Sequence, residues 1–166
     1  MKHRKVVRLV CGLTVGTVLF SAAGSAQPAC PIRPIKLSMT GAQLQGLAIE
    51  LTDGTLMGDP KGSDRAMVWD EPMKLHPSGG AVCSVDPKVG IITAPVFAAG
   101  GRVLYVTTYS GSRSILFGIS AQNCNILWES PPFQKGPDLV GHKFVFTGTS
   151  PVSIGADCLP TRAGIK

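Results

Sequence analysis

Asp138 and His142 are the residues whose types and spacing come closest to a piece of chemistry. They stand four apart in GPDLVGHKF. A carboxylate beside an imidazole can orient the ring and raise its basicity, so such a pair serves a general base or a metal. On a helix the two would share a face. GPDLVGHKF reads instead as a turn and then a strand, which leaves the pair on a solvated loop with no third group to complete a site. His76 precedes Pro77 in KLHPS and is expected on an exposed loop. No nucleophile elbow, HExxH, P-loop or dinucleotide fingerprint occurs. No catalytic residue and no cofactor are assigned.

Four cysteines, Cys30, Cys83, Cys124 and Cys158, carry the other chemistry. Their spacings are far too wide for the close ligand pairs of a zinc site, so no metal site is expected. An even count suits two disulfides in an oxidising compartment. Four cysteines allow three pairings. Cys83–Cys124 with Cys30–Cys158 is preferred, because the second bridge would tie the two ends of the chain together. A fifth cysteine, Cys11, lies in the N-terminal segment.

That segment, MKHRKVVRLVCGLTVGTVLFSAAGSAQPAC, has the three parts of a secretory leader. Lys2, Arg4, Lys5 and Arg8 are basic, residues 9–20 are apolar and uncharged, and Gly24-Ser25-Ala26 is small. Cleavage is expected after Ala26. The apolar run is shorter than the roughly 20 residues that span a bilayer, so no membrane span is expected. The 166-residue chain would then be left with 140 residues, enough for one domain with a core. Four of the 16 Lys and Arg residues and no acidic residue lie before the cleavage point. The remainder therefore carries 12 cationic against 10 acidic side chains, or +2. No basic run survives, which excludes the electrostatic footprint of a nucleic-acid binder.

The elements that must position these residues read as short strands between glycine- and proline-bearing turns. Strands are expected at 44–51, 66–69, 90–97, 102–108, 115–119, 126–129, 143–147 and 152–154, where β-branched and aromatic residues concentrate. Asp53-Gly54, Gly79-Gly80 and Gly100-Gly101 are turn signals. RVLYVTTY places Val103, Tyr105 and Thr107 on one face and Leu104, Val106 and Thr108 on the other. The best helix candidate is short, at 41–49, and no longer helical stripe exists. The fold class is all-β: a small antiparallel sandwich, barrel or partial-propeller-like domain at 37–166, preceded by an extended arm at 27–36. PACPIRPIK in that arm could pair with a sheet edge or a partner.

A faint repeat runs through the chain. GLAIELTDGTLMGD leads to AMVWDEP, and RVLYVTTYSGSRSILFGIS leads to ILWESPP, each ending in tryptophan, an acid and proline. KFVFTGTSPVSIGADCLP is a shorter third candidate. Repeated units of this kind would bury sheet faces against one another. Trp69 and Trp128 read as core residues at strand ends.

The stretch APVFAAGGRVLYVTTYSGSRSILFGISAQNCNILWE, at 94–129, resembles one repeat of the quinoprotein-type (PQQ-type) β-propeller. Val103–Val106 matches the second strand of such a blade and Ile126-Leu127-Trp128 the closing one. Gly118-Ile119-Ser120 stands where Ala-Leu-Asp is usual, and Asn123-Cys124 where Thr-Gly is usual. Ser120 and Cys124 depart from the pattern. A cysteine at a position that needs positive φ carries strain, so Asn125 is expected to take the left-handed conformation instead. The resemblance implies a blade-like antiparallel sheet and a docking role. It implies neither the quinone cofactor nor dehydrogenase activity, because four or more blades are needed to close a propeller.

For binding, the polar tip YSGSRS between two apolar strands supplies Tyr109, Ser110 and Arg113, residue types suited to anchoring a partner on a hairpin loop. Three functional expectations follow. The first is an exported, non-catalytic β module that binds a protein or glycan as an accessory subunit, inhibitor or immunity-type protein. The second is a structural component of a surface assembly. The third is a small secreted hydrolase using Asp138 and His142.

Overall fold

The computed structural model describes residues 30–52, 54–58, 66–70 and 72–161, so the expected leader and Asp53 lie outside the described residues. Fourteen strands and no helix occupy the described chain: β1 Ile32–Ile35, β2 Gly41–Leu44, β3 Leu47–Glu50, β4 Thr55–Met57, β5 Ala66–Trp69, β6 Lys74–Pro77, β7 Cys83–Ser84, β8 Ile92–Ala99, β9 Val103–Ser110, β10 Arg113–Ser120, β11 Ile126–Glu129, β12 Lys135–Val140, β13 Lys143–Thr147 and β14 Val152–Ser153. They form three antiparallel sheets. The largest runs β11-β10-β9-β8-β5-β4, with β1 beside the second half of β8; the others run β2-β3-β6-β7 and β12-β13-β14.

The large sheet is the middle layer. Antiparallel sheets commonly leave one face to water, but here alternation sends side chains into a core on each side. Leu104 and Val106 of β9, Ile92, Val96 and Ala98 of β8, and Phe117 and Ile119 of β10 pack against Leu47, Ile49 and Leu75 of the four-stranded sheet. From the opposite face, Val103 and Tyr105 of β9, Phe97 of β8 and Leu116 of β10 pack against Phe144, Phe146 and Ile154 around the three-stranded sheet. This is why RVLYVTTY is apolar at both parities.

Each disulfide fastens one outer layer to the middle one. Cys83 on β7 is bonded to Cys124 in the β10–β11 turn. Cys30, just before β1, is bonded to Cys158, in the loop after β14. The bridges close sequence separations of 41 and 128 residues. In the chain-entropy account these restrict the unfolded chain by about 4 and about 5 kcal/mol.

Several local expectations are corrected. The helix candidate at 41–49 is the β2–β3 hairpin, turning at Gln45-Gly46. Gly41 has φ +125°, and a Cβ there would collide with the Ile49 carbonyl, a close backbone approach that only glycine permits. KLHPS is not a loop, since Lys74–Pro77 is β6 and pairs with β3. The turn expected at GPD is instead strand β12, whose register shifts between Lys135 and Asp138, so a bulge absorbs Gly136 and Pro137. Cys124, not Asn125, takes the left-handed conformation, with φ 60°. The arm residues Ile32–Ile35 pair with Val96–Ala99 of β8.

The two tryptophan-ending units do not occupy equivalent places. The second is the continuous meander β9-β10-β11. The first is divided, with β3 in the four-stranded sheet and β4 and β5 in the large one. Trp69 is buried, and its indole N–H donates to the carbonyls of Ser38 and Met39 at 3.1 and 3.0 Å.

Candidate functional site

Tyr109, Ser110 and Arg113 sit together at the β9–β10 hairpin tip, where Ser110 opposes Arg113 and Tyr109 opposes Ser114 across a Gly111-Ser112 turn. Gly111 has φ +65°, as so tight a connection requires. All three residues are exposed, Tyr109 at 42%. The Tyr109 N–H donates to Ile91 O at 2.9 Å, which fixes its backbone while the ring stays in solvent. Arg113 borders a small cleft of about 280 Å³ with Phe133 and Gln134.

Asp138 and His142 are placed by the β12–β13 hairpin. Asp138 is on β12 opposite Val145, and His142 is in the turn. Both are exposed, and no hydrogen bond or ion pair joins them. His76 is half-buried on β6, and its Nε2 lies 2.8 Å from Glu50 Oε2. Among the described residues, no group of three or more His, Cys, Asp or Glu side chains could hold a metal ion.

The surface with the most distinctive chemistry was not singled out by sequence: the outer side of β11. This strand ends the large sheet and, among the described residues, pairs only with β10. Alongside it runs a groove of about 840 Å³, bordered by Leu127 and Trp128 on one side and by Val152, Leu159 and Pro160 on the other. Leu127 is 46% exposed, and Trp128 is half-buried. Gly118 of β10 lies between Tyr105 of β9 and Trp128 of β11. Because it has no side chain, the two rings meet edge-on across it, 6.3 Å between centroids. Trp128 is thus supported from beneath and presented at the groove. Among the described residues, Asp157 is the one charged residue of the lining, its Oδ1 accepting from the Leu159 N–H at 3.1 Å. The signal in the sequence was the run of three large apolar residues Ile126-Leu127-Trp128; Ile126 opposes Ile119 and Trp128 opposes Gly118, so Leu127 is the extra residue of a bulge and stands exposed.

No helix among the described residues is long and apolar enough to cross a membrane. The two disulfides fit an oxidising environment. No protein-family model, curated protein or solved structure matches the chain.

Proposed function

We propose that this protein is an exported, non-catalytic β module that binds a partner protein, and that the partner adds an extended segment along β11. The observation that carries this reading is a strand edge left unpaired among the described residues, with a groove of mixed apolar and polar lining beside it. An edge strand offers main-chain donors and acceptors for a further strand, and the flanking groove accepts alternate side chains. Trp128, Leu127 and the prolines at the groove are residues that bury well at little conformational cost. An accessory-subunit or inhibitor role follows from such a surface. The hairpin tip with Tyr109, Ser110 and Arg113 is a second contact region in this reading.

The test is affinity capture from the native envelope and secreted fractions with the oxidised chain, using two exposed-residue variants. Leu127→Glu places a charge in the groove. Val140→Glu, at a residue 63% exposed on β12, is the control. The expected result is one stoichiometric protein retained by the wild type and by Val140→Glu and lost with Leu127→Glu. Equal capture by both variants, or no partner at all, overturns the reading.

A further inference from the structure

A second concavity, separate from the β11 groove, opens where β1, the β2–β3 turn and the β8–β9 turn meet. Its volume is about 310 Å³. Its deep residues are Leu47, Ala98, Leu104 and Ala121, all buried. At its mouth are two exposed polar side chains, Arg33 of β1 and Gln45 of the hairpin turn. Neither side chain makes a hydrogen bond or ion pair with any described residue, and no described acidic residue lines the cavity. Arg33 is held in place by its strand, since it pairs with Ala98 in the β1–β8 ladder. The cavity therefore has an apolar interior and a cationic, hydrogen-bonding entrance.

Ligand sites are commonly concave and mostly apolar, with a few polar groups that fix orientation. A guanidinium without a carboxylate partner matches a planar anion through two parallel hydrogen bonds. At about 30 Å³ per water, the space equals about ten waters, and so admits a ligand of about ten non-hydrogen atoms. We propose that this cavity binds a small amphiphilic monocarboxylate. The carboxylate lies on the Arg33 guanidinium and the Gln45 amide, and the apolar body lies against Leu47, Ala98 and Leu104. The site would give the module a second ligand, distinct from the partner at β11.

The test is titration of the oxidised, isotopically labelled chain with sodium octanoate, followed by amide chemical shifts, with octan-1-ol as the uncharged comparator. The expected result is saturable binding of octanoate, with a dissociation constant on the order of 0.1–1 mM. Shifts should centre on Ala98, Leu104 and Ala121. Arg33→Gln should weaken octanoate about tenfold or more, the worth of one charge-assisted hydrogen bond, and leave octan-1-ol unchanged. The residue is exposed and its ladder contacts are main-chain, so an unchanged amide spectrum should confirm that the variant folds. Absence of saturation, shifts centred elsewhere, or equal octanoate affinity in wild type and Arg33→Gln would each overturn the proposal.

Discussion

The hydroxyl of Tyr105 donates a 2.7 Å hydrogen bond to the carbonyl oxygen of Cys158, 53 residues away. The bond is buried and joins the middle sheet to the loop that carries the terminal disulfide. The ring also packs against Phe144, 4.8 Å between centroids. Tyr105→Phe keeps this packing but strands the Cys158 carbonyl. A cost of about 1–3 kcal/mol is expected in urea unfolding. Burial first, and the Asp157 charge second, hold the Tyr105 phenol well above its ordinary value of 10.0. A raised folded value means stability is complete below the unfolded value and is lost as pH rises through the folded one. In a Tyr109→Phe background, where Tyr105 is the sole tyrosine, phenolate absorbance should therefore rise well above pH 10.0 and together with unfolding. A rise near the ordinary value in a still-folded protein would contradict this burial.

Cys124 sits at φ 60°, where a side chain costs about 1–2 kcal/mol. The disulfide to Cys83 holds it there. Two disulfide-free variants should separate backbone from bridge. Cys83→Ala with Cys124→Gly is expected to be more stable than Cys83→Ala with Cys124→Ala by about 1 kcal/mol, because glycine accepts this conformation. Equal stabilities would show that the turn relaxes once the bridge is gone.

Gly100 and Gly101 form a natural control pair in the β8–β9 turn. Their φ values are +57° and +67°. A Cβ at Gly100 would lie 2.5 Å from Cys158 Sγ, while one at Gly101 would meet nothing within 4 Å. Gly101→Ala should therefore show the conformational cost alone, about 1–2 kcal/mol. Gly100→Ala should add about 1–3 kcal/mol for overpacking against a bridge that cannot move aside. Thermal unfolding of the two variants side by side measures the difference, and similar losses would mean that the disulfide yields.

Much of the fold was legible because its signals are local. Ala66–Trp69, Ile126–Glu129 and Lys143–Thr147 are strands with the bounds that β-branched and aromatic residues suggest. The all-β class follows from the same signals, and the disulfide pairing is the one that ties the chain ends. What stayed hidden depends on distant partners. β4 is exposed at every position, and β7 has only two residues; both exist because a neighbouring strand pairs with them. The hairpin at 41–49 was obscured by short-range apolar spacing that fits a helical turn as well as two strands. At the candidate site, Trp128 was recognisable as a strand-end aromatic. Its exposure to a groove was not, because that depends on β11 being the last strand of its sheet.

Glu50 lies opposite Lys74 in the β3–β6 ladder, with its Oε1 2.9 Å from Lys74 Nζ and its Oε2 2.8 Å from His76 Nε2. Lys74 and His76 are two apart on β6 and so reach the same carboxylate from one face of the sheet. The hydrogen bond from Lys74, then that from His76, then the Lys74 charge, hold the Glu50 carboxyl below its ordinary value of 4.5. A depressed folded value contributes stability that is present above the unfolded value and is lost as pH falls through the folded one. The contribution therefore disappears only below pH 4.5. Side-chain carboxyl shifts followed by NMR should place the Glu50 midpoint below 4.5 in the wild type. Lys74→Met should move it upward further than His76→Phe does, since Lys74 supplies the larger share. A midpoint unmoved by Lys74→Met would show that this exposed pair is not formed in solution, the usual fate of surface ion pairs whose side chains are free to swing into water.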